Sequence, residues 1–467
     1  MGRWTGLAVA VAVLGLHGPA SADDVQVNGT LRDGGDHKVL HVWGTHIEMG
    51  YAHGYLLADE VMALAEGYIL PMYGVSPDQY ETLLSVVLPT FDIPPSLRAE
   101  AEALVEGVRA AGVSLHLDTL ERDLEVDDLL LANAASDLFG VSWYCSSISA
   151  WGEATAADPD LAGELAMARD LDWDFGGDAA DLRDFGLVIA YESTDDDEQR
   201  WVSVAFPGYI GCLSCVNESG IGAFQNQGNH ATTLSNLDTD PAPAPINMTL
   251  RTAIEARDAD GDGTNTIGDV EHAVTEVGRM GTYEIHLISP ADRSDPPAAI
   301  LEANNGGTAL RTPADEPLPG PDCVATTNHH RELYTPTMCS RYATIVEMVG
   351  DYDGVLDVER LWEIEKEVSW DSGDSGTVQT MRVVPARQIL DVAFSDANEV
   401  APYHAPTSYS FDVLFGDGGP DPTADDDDDD DDAPGSCQCS QHTPAVPWAI
   451  SAALLGSLAL GFAVRRP

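Results

Sequence analysis

The chain has 467 residues, a hydrophobic fraction of 44% and a formal net charge of −56, from 78 acidic and 22 basic side chains. Its apolar content is enough to bury a core, and its length suits one large domain or two smaller ones. So acidic a chain repels polyphosphates, which excludes a nucleic-acid partner.

Met1–Ala22 carries Arg3, an apolar run from Leu7 to Leu16 and Ala20-Ser21-Ala22 before Asp23, the pattern of a secretory signal peptide. Val42–Ala58 holds Gly44, Gly50 and Gly54 and leads into an amphipathic helical stretch through about Tyr68. Glycines here allow a helix start to pack closely. Helical patterning resumes from about Ser96 to Ala111. Cys145-Ser146-Ser147-Ile148-Ser149-Ala150-Trp151 and Met167-Ala168-Arg169-Asp170-Leu171-Asp172-Trp173 are short apolar runs separated by turn residues, which predicts strand, loop and strand. Cross-strand neighbours lie about 5 Å apart, so Arg169 and Asp172 fall within reach of Cys145. A cation beside a thiol favours the thiolate that attacks carbonyl groups.

Asn217-Glu218-Ser219-Gly220 predicts a turn between two further strands. Helical patterns at Met248–Ala256 and Ile267–Val277 flank an Asp-x-Asp-x-Asp-Gly loop. Asp258, Asp260, Asp262, Thr264 and Asp269 are its candidate ligands for a structural calcium ion. Thr327-Asn328-His329-His330 reads as polar loop, Cys339-Ser340-Arg341-Tyr342 opens a helix to about Val349, and 374–384 and 388–395 read as antiparallel strands. Strands at 145–226 and 375–395, with helices at 47–135 and 248–280, predict an α+β fold of stacked layers with sheet inside. The far end has eight aspartates, Asp425–Asp432, a solvated spacer. Cys437, Cys439 and an apolar segment Val446–Val464 closed by Arg465-Arg466 follow, long enough for one membrane-spanning helix with a cytoplasmic basic end.

Of the seven cysteines, Cys437 and Cys439 belong to the tail. Disulfides Cys212–Cys215 and Cys323–Cys339 would leave Cys145 as the odd thiol of an exported protein. Zinc on Cys212, Cys215 and two histidines is the alternative, weakened by the lack of a second cysteine pair at ligand spacing.

Six segments occur in a telling order: Gly-x-x-x-Glu-Met-Gly-Tyr-Ala-His-Gly from Gly44, Cys-Ser-Ser-x-x-x-Trp-Gly-x-Ala-Thr from Cys145, Ala-Arg-Asp-Leu-Asp-Trp from Ala168, Asn-Glu-x-Gly-Ile from Asn217, Thr-Asn-His-His from Thr327, and Ser-Arg-Tyr from Ser340. Together, over about positions 40–410, they resemble the autoproteolytic acyltransferases and amidohydrolases of the N-terminal nucleophile class. Isopenicillin N acyltransferase and N-acylethanolamine acid amidase belong there, with bile salt hydrolases and penicillin V acylases as distant relatives. The tail resembles the cysteine-containing C-terminal sorting signals of myxobacterial surface proteins, with Cys437 or Cys439 as the processing point.

The resemblance implies a four-layer αββα sandwich that cleaves its own Tyr144–Cys145 bond, leaving parts 23–144 and 145–415. It implies Cys145 as nucleophile with its freed α-amine as base, Arg169 beside the thiolate, and Asp172 holding the amine. Asn328 is the implied oxyanion donor, Asn226 a second polar contact and Arg341 the arginine of the bile salt hydrolase branch. The implied substrate is a small acyl amide, hydrolysed or transferred without a catalytic cofactor. Implied surroundings are export to the cell surface, a membrane contact through the C-terminal segment, and sorting machinery for the tail. The chain departs from the pattern at Tyr144, where relatives carry Gly, Asp or Thr, and at Asp170, where Asn is usual. On the residues alone, Asn328 also reads as a turn residue and Arg341 as a helix brace. A lipid-directed hydrolase of ceramidase or phospholipase-B type and an inactive surface adhesin remain the rival functions.

Overall fold

The computed structural model describes residues 26–138, 145–177, 179–228 and 241–416. Met1–Ala22, Tyr144, Cys437, Cys439 and the apolar segment at 446–464 lie outside the described residues.

Nine strands form the larger sheet: β1 (Gly29–Asp33), β2 (Lys38–Gly44), β5 (Leu187–Ser193), β6 (Trp201–Ala205), β7 (Ser214–Asn217), β8 (Gly222–Gln227), β9 (Tyr283–Ile288), β10 (Ala298–Asn304) and β11 (Gly307–Arg311), in that spatial order. Six form the other: β12 (Cys323–Thr326), β3 (Ser146–Ala150), β4 (Ala166–Asp174), β13 (Ser375–Val384), β14 (Ile389–Phe394) and β15 (Thr407–Ser410), again in spatial order. All pairings within these sheets are antiparallel except β2 with β5.

Alternation along each strand explains the layering. Val39, Val188, Val202 and Ile300 on the larger sheet meet Met167, Met381, Val383 and Val392 on the smaller, forming a core between the sheets. The other face of the larger sheet, with Leu40, Ile189, Ile285 and Leu301, packs under helices α1 (His46–Leu56), α2 (Ala58–Leu64), α3 (Pro95–Ala110), α4 (Val126–Asn133), α5 (Ile246–Glu255) and α6 (Ile267–Glu276). The other face of the smaller sheet, with Ile148, Ala166 and Ala168, packs on α7 (Ser340–Asp351) and α8 (Val358–Val368). The order is helix, sheet, sheet, helix, the αββα arrangement that the resemblance implies.

The glycine-rich segment near the start has a packing role. Thr45 caps α1, with its hydroxyl accepting from Glu48 N and Glu48 Oε2 accepting from Thr45 N. Gly50 and Gly54 press α1 against α3, where any Cβ would collide with the Glu100 and Leu104 carbonyl oxygens. Strands β1, β2 and β9–β12 and helix α8 escape the sequence patterns. Each residue of β10 is buried, so it shows no polar alternation, the signal by which a half-exposed strand is read.

Candidate active site

Cys145 immediately precedes β3 and is 2% exposed. Its side chain joins an apolar cluster with Leu64, Tyr68, Leu171, Phe175, Leu213 and Val378. Strand β3 pairs with β4 so that Ser147 faces Arg169 and Ser146 faces Asp170. The strand–loop–strand reading of this region therefore matches the observed hairpin.

Arg169 and Asp172, three apart on β4, point to opposite faces of the sheet, as an odd separation requires in a strand. Arg169 is fully buried and reaches across to the larger sheet. It donates to Ser214 Oγ and the Gln225 carbonyl, and at 3.4 Å to Asn226 Oδ1. Asp172 turns the other way, accepting from Thr377 Oγ1 at 2.5 Å and from Arg341 Nη1 at 3.1 Å.

Arg341, in the first turn of α7, joins the pieces. Its Nη2 donates to the Cys145 carbonyl at 3.0 Å and to Asn328 Oδ1 at 2.6 Å. The two asparagines lace β8 to the segment after β12: Asn226 Nδ2 donates to the Thr327 carbonyl at 3.1 Å and Asn328 Nδ2 to the Gln227 carbonyl at 2.7 Å. Each amide nitrogen carries a second hydrogen. Cys145, Arg169, Asp172, Asn226, Asn328 and Arg341 thus converge from widely separated parts of the chain.

Burial pushes the Cys145 thiol up to about 11, with Arg169 and Arg341 opposing and Asp172 reinforcing. Burial likewise raises Asp172 to about 6 against the pull of Arg341, Thr377 and Arg169. The thiol is therefore held protonated at neutral pH.

Sequence reasoning passed over Ser214, Thr377, Gln379 and Glu365. Gln379 Nε2 donates to Ser214 Oγ at 3.2 Å, and Ser146 Oγ donates to Glu365 Oε2 at 2.6 Å. The signal for Glu365 was available: Leu361, Ile364, Glu365 and Val368 are the buried stripe of α8, so a carboxyl occupies an apolar position.

Cys212 and Cys215 form a disulfide, which removes zinc as their role. Cys323 and Cys339 are free thiols, correcting the expected pairing. Cys339 Sγ lies 3.5 Å from Thr327 Oγ1, four residues of extended chain, about 13 Å, from Cys323. A disulfide needs Cα atoms within about 7 Å.

Three groups of acid and histidine side chains gather among the described residues. Asp258, Asp260 and Asp262 converge in the acidic loop. Thr264 lies beside this group through Asp262, whereas Asp269 is not part of it. Asp269 instead accepts from the backbone of Ala259, Asp260 and Thr266, and Thr264 Oγ1 donates to Asp262. His46 meets Glu198 and Glu255; burial opposes its charge, but the Glu100 and Glu198 carboxylates hold it at about 10, so it acts as a cation. His330 Nδ1 lies 2.7 Å from Glu284 Oε1. Asn304, oriented by Gly306 N on its Oδ1, donates to His330 Nε2 at 3.2 Å.

Beside the thiol, an apolar pocket is lined by Leu64, Tyr68, Leu129, Trp173, Leu182 and Leu213 among others. Leu64, Tyr68, Leu182 and Leu213 also belong to the cluster around Cys145. Among the described residues no helix is long and apolar enough to cross a membrane.

No family model matches the chain. It is 23% identical over 397 residues to an uncharacterized protein of Archaeoglobus fulgidus, covering 76% of this chain and 62% of that protein. It is 26% identical over 213 residues to protein dcd1B of Dictyostelium discoideum, covering 40% and 38%. The chain thus spans less than two thirds of either relative. Among solved structures it is similar to a Caenorhabditis elegans ortholog of N-acylethanolamine-hydrolyzing acid amidase, at 14% identity and TM-score 0.38 over 52% of this chain and 93% of that one. It is also similar to a mutant conjugated bile acid hydrolase from Clostridium perfringens (12%, 0.37, 58% and 94%). A penicillin V acylase from Agrobacterium tumefaciens gives 12%, 0.35, 54% and 83%. Likenesses at this level leave the chemistry to be argued from the side chains.

Proposed function

We propose that the chain is a self-processing cysteine hydrolase that cleaves or transfers the acyl group of a linear amide. The observation that carries this reading is Arg341, whose guanidinium reaches the Cys145 carbonyl, Asp172 and Asn328 together. In the self-processing step, the thiol sulfur attacks the Tyr144 carbonyl carbon. The C–N bond breaks, nitrogen keeps its electron pair and takes a proton, and water hydrolyses the resulting thioester. The freed amine of Cys145, with an ordinary pKa of about 8, then accepts the thiol proton at neutral pH. Substrate attack forms a new thioester on Cys145, and the amine product leaves with that proton. The second amide hydrogens of Asn328 and Asn226 would stabilise the oxyanion.

The apolar pocket beside Cys145 suits an apolar acyl group. It equally favours a second reading, a lipid-directed hydrolase of the same fold, and parallel assays on N-acyl amides and phospholipids separate the two. The three converging aspartates of the acidic loop fit a calcium ion through carboxylate oxygens, and we assign that ion a structural role only. The decisive experiment is intact mass and N-terminal sequencing of wild type beside Cys145→Ala. A wild-type chain cut before Cys145 with an uncut variant supports the reading. An uncut wild type that resists thiol-directed acyl probes overturns it in favour of an inactive binding protein.

A further inference from the structure

Between the smaller sheet and α8 lie two acids that the chemistry above does not use. Asp170 stands directly opposite Ser146 on β3 and Thr380 on β13. Thr380 Oγ1 donates to Asp170 Oδ1 at 2.6 Å, and Ser146 Oγ donates to Glu365 Oε2 at 2.6 Å. All four side chains are fully buried. The remaining oxygens, Asp170 Oδ2 and Glu365 Oε1, meet no hydrogen-bond donor among the described residues.

A dry carboxylate with an unsatisfied oxygen is costly, and two side by side are more so. The charged groups acting on this pair are Asp172 and Arg169 from β4 and Arg341 from α7. Arg169 is committed to the far face of the sheet at Ser214, Gln225 and Asn226, and Arg341 binds Asp172. Protonation removes the buried charges, the costlier part of the conflict.

We propose that Asp170 and Glu365 form a protonated buried acid pair, and that Glu365 is a positioning residue which, through Ser146, fixes the end of β3 that carries the Cys145 thiol. The inference rests on Cys145 being the nucleophile. Burial is the largest influence on both acids. It takes Glu365 up to about 8, with Ser146 and Arg341 opposing and Asp172 adding, and it takes Asp170 well above the carboxylate range, with Glu365 adding. A raised carboxyl is protonated in the folded chain below its pKa. Ionisation leaves the Ser146 bond in place but sets a bare charge beside Asp170 and Asp172, so the close packing of the pair under β3 is kept at neutral pH and strained apart as pH rises through about 8.

The test uses full-length wild type, E365Q, D170N and E365A. Alkylation of Cys145 by iodoacetamide is followed against pH on the Cys145 peptide by mass spectrometry, with infrared spectra of each protein. Glutamine keeps an acceptor for Ser146 and cannot ionise. Thiolate formation raises labelling with pH in every protein, so the readout is the ratio to wild type: E365Q should label within about threefold of wild type at neutral pH, overtake it above about pH 8, and lose intensity in the protonated-carboxyl band. E365A should label about tenfold more slowly or worse throughout, the scale of a misplaced reacting group. Should E365A fail to fold, E365Q and D170N carry the test through the infrared band and the pH profile. The proposal is overturned if E365Q follows the wild-type pH profile above about pH 8 and retains the band, or if folded E365A behaves as wild type. The Cys145 peptide also reports self-cleavage. A wild type both uncut and inert at Cys145 fails the nucleophile reading itself, whereas a cut, reactive wild type with unaltered variants fails the acid pair alone.

Discussion

Replacing Arg341 by methionine removes the one guanidinium that Asp172 holds, while keeping most of the side-chain volume. Asp172 is 1% exposed and would keep Thr377 as its side-chain hydrogen-bond donor among the described residues. Breaking a buried ion pair on one side costs about 3–5 kcal/mol, because the other charge is left in a dry place. With about 2.1 cal/mol/K of unfolding entropy per residue and roughly 400 folded residues, that lowers Tm by about 4–6 °C. Arg341 is the largest influence opposing burial at Asp172, so the variant should also carry a proton there at neutral pH. A carboxyl raised on folding contributes stability below its unfolded pKa that is lost as pH rises through the folded value. Arg341→Met should therefore go on losing stability as pH rises above about 6, where the wild-type carboxyl has already ionised. Scanning calorimetry on Arg341→Met, Asp172→Asn and the double variant measures the coupling. The double variant should be more stable than Arg341→Met alone, with an interaction of about 2 kcal/mol. Strictly additive effects would refute the claim that these two charges are partners.

Asn328→Ala should cut turnover about 10²–10³-fold with little change in KM, the cost of one oxyanion donor; a change confined to KM would place Asn328 in substrate binding. Gly54→Ala should destabilise by about 1–3 kcal/mol or more, since its Cβ meets the Leu104 carbonyl, and urea unfolding reads this directly. Alkylation of the unfolded, unreduced protein, followed by peptide mass spectrometry, should find Cys323 and Cys339 labelled and Cys212 and Cys215 protected. A 323–339 crosslink would contradict their standing as free thiols.

Much of the fold was written locally. The capping and glycine pattern at Thr45–Gly54 specifies a helix that can touch another backbone, and the short apolar runs from Cys145 and Met167 specify a hairpin, because strand side chains alternate whatever lies around them. The strands Gly29–Gly44 and Tyr283–Thr326 were not legible. Several are buried on both faces, so the polar alternation that marks a strand is erased by packing the chain itself does not announce.

The same division holds at the site. The spacing of Arg169 and Asp172 already places them on opposite faces of β4. Only tertiary structure decides that Arg169 crosses to Asn226 and that Asp172 binds Arg341, because those partners arrive from other strands and from α7. Glu365 shows the difference most sharply. Its position in the apolar stripe of α8 was readable as a local conflict, but the hydroxyl that accounts for it, Ser146, stands 219 residues away and meets it only when the outer helix packs on the sheet. Local sequence sets which way a side chain faces; long-range packing sets what it finds there.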